Sequence, residues 1–533
     1  MNDSISKKMI EPANADMIVS VNAEMIKSVR NYREIMLKDP YRPRYHFAIP
    51  DDNGMPGDPN GCFYADGLHH MMYLYKRGGG PFCWGHVTSR DLLHWRHHED
   101  SLAESPDDGG CFSGGAFVDD DGVAYLSYWI FNDWESPAEK RVAGIGLAKS
   151  APPYTKWVRN KYAVIPSTRW GVLDIANADG SVSHIGCADP SNIWKRGDRY
   201  YMLLGNLGVL NLYGRGPDSP ADMRGDWAEL FSSADLAGWK YEGRFYRRRE
   251  DNAWTDETED NMCPSYLPLP AAKCGGKPTD AMLLLFIAHN KGCQYYIGRD
   301  DGLRFVPAAH GRMSWKDNAF FAPEAYIDGE GRQIMYAWLL DNPDKDFETY
   351  GWSGVQSLPR SLWLNGDGRL GIAPVDELES LRYNGLNHST GDPRVIKNGF
   401  VIKLLTPDCC ELLLSCAGVG AFKGGFRIIS SGESAEIYYS AADNELVMDL
   451  SRSGKSKRAI REAAPFALKE NESLQMRLFV DRSVLEVFAN DRQAISRRVY
   501  FTNPDDLQIQ FIGEGDVEVN ELTSWSIAPT NPY

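Results

Sequence analysis

No stretch of this chain is apolar for anything near the ~18 residues that a membrane-spanning helix needs. No basic tract or basic amphipathic helix stands out, and 73 acidic against 57 basic residues leave a net charge of −16. That balance argues against a nucleic-acid partner, whose phosphates reward Lys and Arg, and against a membrane-surface role. The first twenty residues lack an apolar core and a small-residue cleavage site, so no secretory signal is read there. The ten cysteines include no C-x-x-C pair, which argues against a zinc site. Thiols without a signal favour a reducing, cytoplasmic setting over a secreted one. Low-complexity tracts and a clear internal repeat are also missing.

What is present is aromatic and β-rich. The chain carries 15 Trp and 26 Tyr in 533 residues, a length that suits about two to four domains. Flat side chains in that number suit an all-β core or a site that stacks on sugars. Residues 14 to 38 place Ile18, Val21, Met25, Val29, Tyr32 and Met36 at helical spacing, ended by Pro40 and Pro43. This predicts an N-terminal helical extension over 1–43. It is expected to pack on the body, with a homo-oligomer contact through it or through the C-terminal region as the alternative.

From Tyr45 onward, short Val/Ile/Tyr/Phe/Trp runs such as "AYLSYWIFND" and "AMLLLFIAHNKG" alternate with Gly, Asp and Pro turns. Some 330 residues of this texture exceed one sandwich and fit a propeller, assigned to 44–373. "PVDELESLR" reads as a helical linker over 374–384. Alternating strands over 385–533 then read as a β-sandwich. In "SVLEVFAND", Val484, Glu486 and Phe488 share one face and Leu485 and Val487 the other.

Three acidic segments sit at strand starts: Asp58 in "GMPGDPNGCF", Asp189 in "IGCADPSNIW", and Glu257, Glu259 and Asp260 in "WTDETEDNMCPSY". Two carboxyl groups flanking a scissile bond are what glycoside hydrolysis requires, one as nucleophile and one as acid. In the first segment Pro59 pre-sets φ and Asn60-Gly61 can take a positive φ, a turn that displays Asp58. A lone D-P-N-G is also an ordinary turn, so spacing alone is only suggestive. His69-His70 and His97-His98 lack carboxylates at ligand spacing and read as structural. Asp119-Asp120-Asp121-Gly122 and Asp300-Asp301-Gly302 read as hairpin turns, not calcium loops. Cys263 reads as a small buried residue.

The chain resembles glycoside hydrolase family 32, the invertases, fructan hydrolases and fructosyltransferases. The resemblance rests on seven segments in order: "YHFAIPDDNGMPGDPNG", "FCWGHVTSRDLLHWRHH", "CFSGGAFVDDDG", "CADP", "FFAPEAYIDGEGRQIMYAWL", "SLPRSLWLNGDGRLGIAPVDELESLR" and "LFVDRSVLEVFANDRQAISRRVY". It implies a five-bladed β-propeller followed by a β-sandwich. It implies Asp58 as nucleophile and Asp189 as transition-state stabiliser, with Trp84, His86, Phe112 and Ser113 at the site. Asn60 and Glu324 complete the set expected to contact sugar.

The implied activity is retaining cleavage of β-D-fructofuranosyl linkages without a cofactor. Transfer to a sugar, cyclisation included, and a catalytically dead saccharide-binding protein are the alternatives. Departures are marked. Met55, Pro56 and Gly57 replace the family's Trp, Met and Asn, Ala188 replaces an Arg, and Met262 stands where the acid/base Glu precedes Cys-Pro. Methionine has no proton to give, so Glu259 is expected to supply the acid, with Asp260, Glu257 and Glu324 as further candidates.

Overall fold

The structure is a computed structural model that describes residues 38–50, 57–76, 81–103, 105, 110–130, 143–248, 254–341, 352–389, 396–454 and 460–531. The expected N-terminal helix, and Met55 and Pro56, lie outside the described residues.

Five antiparallel sheets follow one another as the blades of a propeller. Blade I orders Pro59–Ala65, Leu68–Lys76, Phe82–Ser89 and Arg96–Leu102 from inside to outside. The inner strands of blades II to V are Ala116–Val118, Ala188–Pro190, Met262–Pro270 and Phe320–Ile327. Asp376–Leu381 forms a 3₁₀ turn, and the next strand, Arg382–Asn387, already pairs with the last strand of the chain. The remaining strands form a nine-stranded sheet. Its long members Cys409–Ser430 and Gln508–Ile527 shift register between Val419 and Lys423, where the sheet folds over to give a sandwich.

The alternation in Val484–Ala489 joins the two halves. Leu485 and Val487 are buried in the sandwich core, whereas Val484 and Phe488 are buried in the core continuous with the propeller. Glu486, on that second face, meets the propeller instead of water. It accepts from Leu358 N–H at 2.6 Å and from Arg360 Nη2 at 2.6 Å, and lies 3.1 Å from His46 Nε2.

One device recurs at the heads of the inner strands. In blades I, III, IV and V the ladder is broken by a bulge, and each bulge holds one left-handed residue: Gly61 (φ 50°), Asp189 (φ 32°), Cys263 (φ 47°) and Ala322 (φ 44°). Bulges re-aim side chains next to active sites. A left-handed φ is costly for the three residues that carry a Cβ. Asp189 is therefore held in a backbone state that free chains avoid.

Candidate active site

Asp58 leads into the inner strand of blade I and is only 7% exposed. Its carbonyl accepts from Leu74 N–H at 2.9 Å and from Asn60 Nδ2 at 3.2 Å. Asn60 Oδ1 in turn accepts from Gly114 N–H at 3.1 Å. Asn60 thus ties the turn of blade I to the segment that leads into blade II. Before Asp58, Gly57 is required by close approach. A Cβ there would stand 2.9 Å from the Trp338 indole and from Gly354 Cα, and the Gly57 carbonyl accepts from Gln356 Nε2 at 2.6 Å. No side chain fits where the family carries Asn.

Ser113 donates to Asp58 Oδ2. Asp58 Oδ1 accepts no hydrogen bond among the described residues, so one oxygen is left uncommitted. Burial pushes the Asp58 carboxyl up, Ser113 opposes, Asp189 adds to the rise and His289 opposes, leaving it at about 7. Asp189 accepts from the Cys263 thiol at 3.3 Å. Burial raises it too, against Cys263 and His289, to about 6. The Cys263 thiol is held well above its usual range by burial and then by Asp189 and Asp58. It stays a neutral donor between the two acids. The acids of blades I and III thus converge through Ser113 and Cys263, which come from blades II and IV.

The third acidic segment divides. Glu257 is 55% exposed at its side chain and pairs with Arg224 at 2.9 Å. Glu259 departs from its expected role. Arg312 Nη1 and Nη2 clamp its two oxygens at 2.9 and 2.8 Å, and Gln294 Nε2 and Asp256 N–H add bonds of 2.8 and 3.0 Å. A carboxylate gripped in this way is a saturated acceptor. It lines a pocket of about 350 Å³ with Arg248, Trp254, Lys291 and Trp315, whose walls do not include Asp58 or Asp189. Asp260, next in the chain, turns the other way. Its Oδ2 lies 2.7 Å from His289 Nδ1 and its Oδ1 accepts from His289 N–H at 3.0 Å.

Met262 is buried against blade III, where a Cβ on Gly205 would lie 2.5 Å from its sulfur. Trp84 and His86 are buried inside blade I. Trp84 Nε1 donates to the Phe112 carbonyl at 3.1 Å and its ring lies under Gly61. His86 Nε2 meets His70 Nδ1 at 3.0 Å. Trp84 thus lies beneath the turn that carries Asp58, and His86 lies between His70 and His98. Phe112 packs on Phe82 and Trp129, with ring centroids 4.9 and 5.2 Å away.

Glu324 lies deeper, opposite Tyr336 in blade V. Burial lifts its carboxyl well above the usual range, against one bond from the Cys62 N–H. Such a group costs stability as pH rises from its unfolded value near 4.5 toward its folded value. Glu324→Gln should therefore raise the melting temperature at pH 8 more than at pH 4.5; an equal effect at both would show that the carboxyl is not held neutral.

Residues 46–374 match the model of the glycosyl hydrolases family 32 N-terminal domain, and residues 377–526 match that of the family 32 C-terminal domain. The chain belongs to glycosyl hydrolase family 32. It is a glycosidase of the β-fructofuranosidase type. Among family 32 relatives, a sucrose-6-phosphate hydrolase of Zymomonas mobilis is 25% identical over 512 residues, covering 93% of this chain and 94% of the relative. A fructan 1-exohydrolase w3 of Triticum aestivum is 28% identical over 560 residues, covering 91% and 88%. The crystal structure of fructan 1-exohydrolase IIa from Cichorium intybus superposes with a TM-score of 0.72 at 21% identity, over 92% of this chain and 98% of that one, and shows the same fold.

Reading the sequence missed three residues of this family 32 site: His289, Trp338 and Phe321. Their rings form a wall. His289 meets Phe321 edge-on at 5.6 Å, Phe321 meets Trp338 at 6.1 Å, and Trp338 abuts the backbone before Asp58.

Proposed function

We infer that this family 32 protein cleaves β-D-fructofuranosyl linkages with retention, through a covalent intermediate on Asp58. Its substrates are sucrose, sucrose 6-phosphate or short fructans; sucrose 6-phosphate and fructan are the compounds in the names of its relatives. Asp58 attacks the anomeric carbon with its uncommitted oxygen. The glycosidic bond breaks as a proton reaches the leaving oxygen, and water then releases fructose from Asp58. Asp189 accepts hydrogen bonds from ring hydroxyls as positive charge develops on the sugar.

The observation that carries this reading is the pair of buried acids at the strand heads of blades I and III, each fixed by a hydroxyl or thiol donor, with Asp189 adding to the rise of Asp58. Pre-organised acids in a dry cavity are how such charge is stabilised without reorganisation.

The test is incubation with sucrose, sucrose 6-phosphate, 1-kestose, inulin and levan in buffer containing methanol. Released fructose together with methyl β-D-fructofuranoside, seen by NMR, is the expected result. A methyl α-fructofuranoside, meaning inversion, would refute the covalent step. No turnover on any of the five would refute the activity.

A further inference from the structure

A glycosidic oxygen is a poor leaving group until protonated, and the position that carries the family's acid is a methionine. The ladder that holds Met262 offers a replacement. Met262 pairs with Ile287 across blade IV. Two steps further up the same register, residue 260 faces residue 289, which is where Asp260 and His289 meet. His289 sits in a tight turn closed by Lys291 N–H to the Ala288 carbonyl at 3.0 Å. The turn ends at Gly292, left-handed at φ 74°, where a Cβ would strike the Phe320 carbonyl at 2.7 Å. Asn318 Nδ2 bonds the His289 carbonyl at 2.9 Å and fixes the turn against blade V.

We propose that His289, oriented by Asp260, is the general acid and base of this enzyme in place of the missing glutamate. The geometry is specific. Asp260 is buried and takes Nδ1, so Nε2 is the nitrogen that faces outward; the His289 side chain is 46% exposed against 1% for Asp260. The ring stands on the wall of Phe321 and Trp338 that leads to Asp58. The charges facing it are Asp260 from its own blade, Asp189 from blade III and Asp58 from blade I, while Lys291 lies two residues along its turn. Burial lowers the imidazole, but Asp260, then Asp189 and Asp58, outweigh it and raise the group above its ordinary value. Proton and charge balance in both half-reactions. Asp58 carboxylate bonds to the anomeric carbon while Nε2–H passes to the leaving oxygen. Neutral imidazole then takes a proton from water as the hydroxide oxygen displaces Asp58.

This assignment rests on the Asp58 reading, and the experiment separates the two. The purified full-length protein and its His289→Gln, Asp260→Asn and Asp58→Asn variants are assayed on sucrose and on p-nitrophenyl β-D-fructofuranoside, whose leaving group needs no proton. General-acid help is worth roughly 10²–10⁴-fold. His289→Gln should lose on that order in kcat on sucrose and less than about tenfold on the aryl substrate, with added imidazole restoring part of the loss. Asp260→Asn should lower kcat on sucrose with KM little changed and move the alkaline limb of the pH profile to lower pH. That shift is one a merely structural residue would not cause. Circular dichroism at the assay temperature checks that each variant is folded. Wild-type sucrose activity in His289→Gln, or an equal loss on both substrates in the folded variant, overturns the His289 assignment alone. Full activity in Asp58→Asn overturns the nucleophile alone, and a wild type inert on both substrates overturns the two together.

Discussion

Asp58→Asn should abolish turnover, by on the order of 10⁴-fold or more, the scale on which loss of a covalent nucleophile acts. The amide keeps the size of the side chain and can still accept from Ser113, but it cannot form the ester to the anomeric carbon. The same substitution should make the protein more stable at alkaline pH. Asp58 is raised from 3.8 to about 7, chiefly by burial. A folded value above the unfolded one means that stability is fully present below about pH 3.8 and lost as pH rises to about 7. That upshift amounts to roughly 4 kcal/mol at pH 8. Asp58→Asn should therefore melt well above wild type at pH 8 and close to it at pH 4. Calorimetry at the two pH values, beside the assay, checks both halves. An inactive variant without stabilisation at pH 8 would show that the carboxyl is not strained by its setting. The wild-type rate should fall as pH drops through about 7, because only the ionised form attacks.

Glu486→Ala should be the most damaging single change outside the site, at about 3–5 kcal/mol, because it leaves a buried cation without its partner. Arg360 is buried with Glu486, its guanidinium lies 4.1 Å from the Phe320 ring centroid, and Glu486 is the anion it pairs with among the described residues. His46 bridges from Glu486 to Asp481, 2.8 Å from its Nδ1. Burial pushes the Glu486 carboxyl up, but Arg360 and His46 outweigh it and hold it at about 2. Its contribution is thus present above about pH 4.5 and lost as pH falls toward 2. Denaturant unfolding of Glu486→Ala, and of a double variant that also carries Arg360→Met, provides the check. The double variant should recover part of the loss, since it no longer leaves a cation buried without its anion. A single-variant loss below about 1 kcal/mol would mean that water reaches Arg360.

Much of this was legible because alternation is a strong signal. The two faces of "SVLEVFAND" separate in the structure as the sequence has them, Leu485 and Val487 into the sandwich, Val484 and Phe488 toward the propeller. Asp58 and Asp189 were singled out by the resemblance of their segments to family 32, since an Asp-Pro at a strand head also reads as an ordinary turn. The clamp on Glu259 is one that the same alternation could have anticipated. Counting back by two from Met262 reaches Asp260, so Glu259 belongs to the opposite face, where Arg312 holds it. His289 was invisible for a different reason. Its place depends on the pairing of Met262 with Ile287, and the intervening residues 263–286 fix no unique register when read as a string. Trp84 and His86 carried a motif, but a motif cannot say which side of a strand faces the cavity.

The left-handed residue at the head of four inner strands has a wider consequence. Two of the four, Asp189 and Cys263, carry polar groups on backbone already turned out of the ladder, where a side chain can change without breaking a strand pairing. Side chains from several blades can therefore meet at one place while each blade keeps its own pairing.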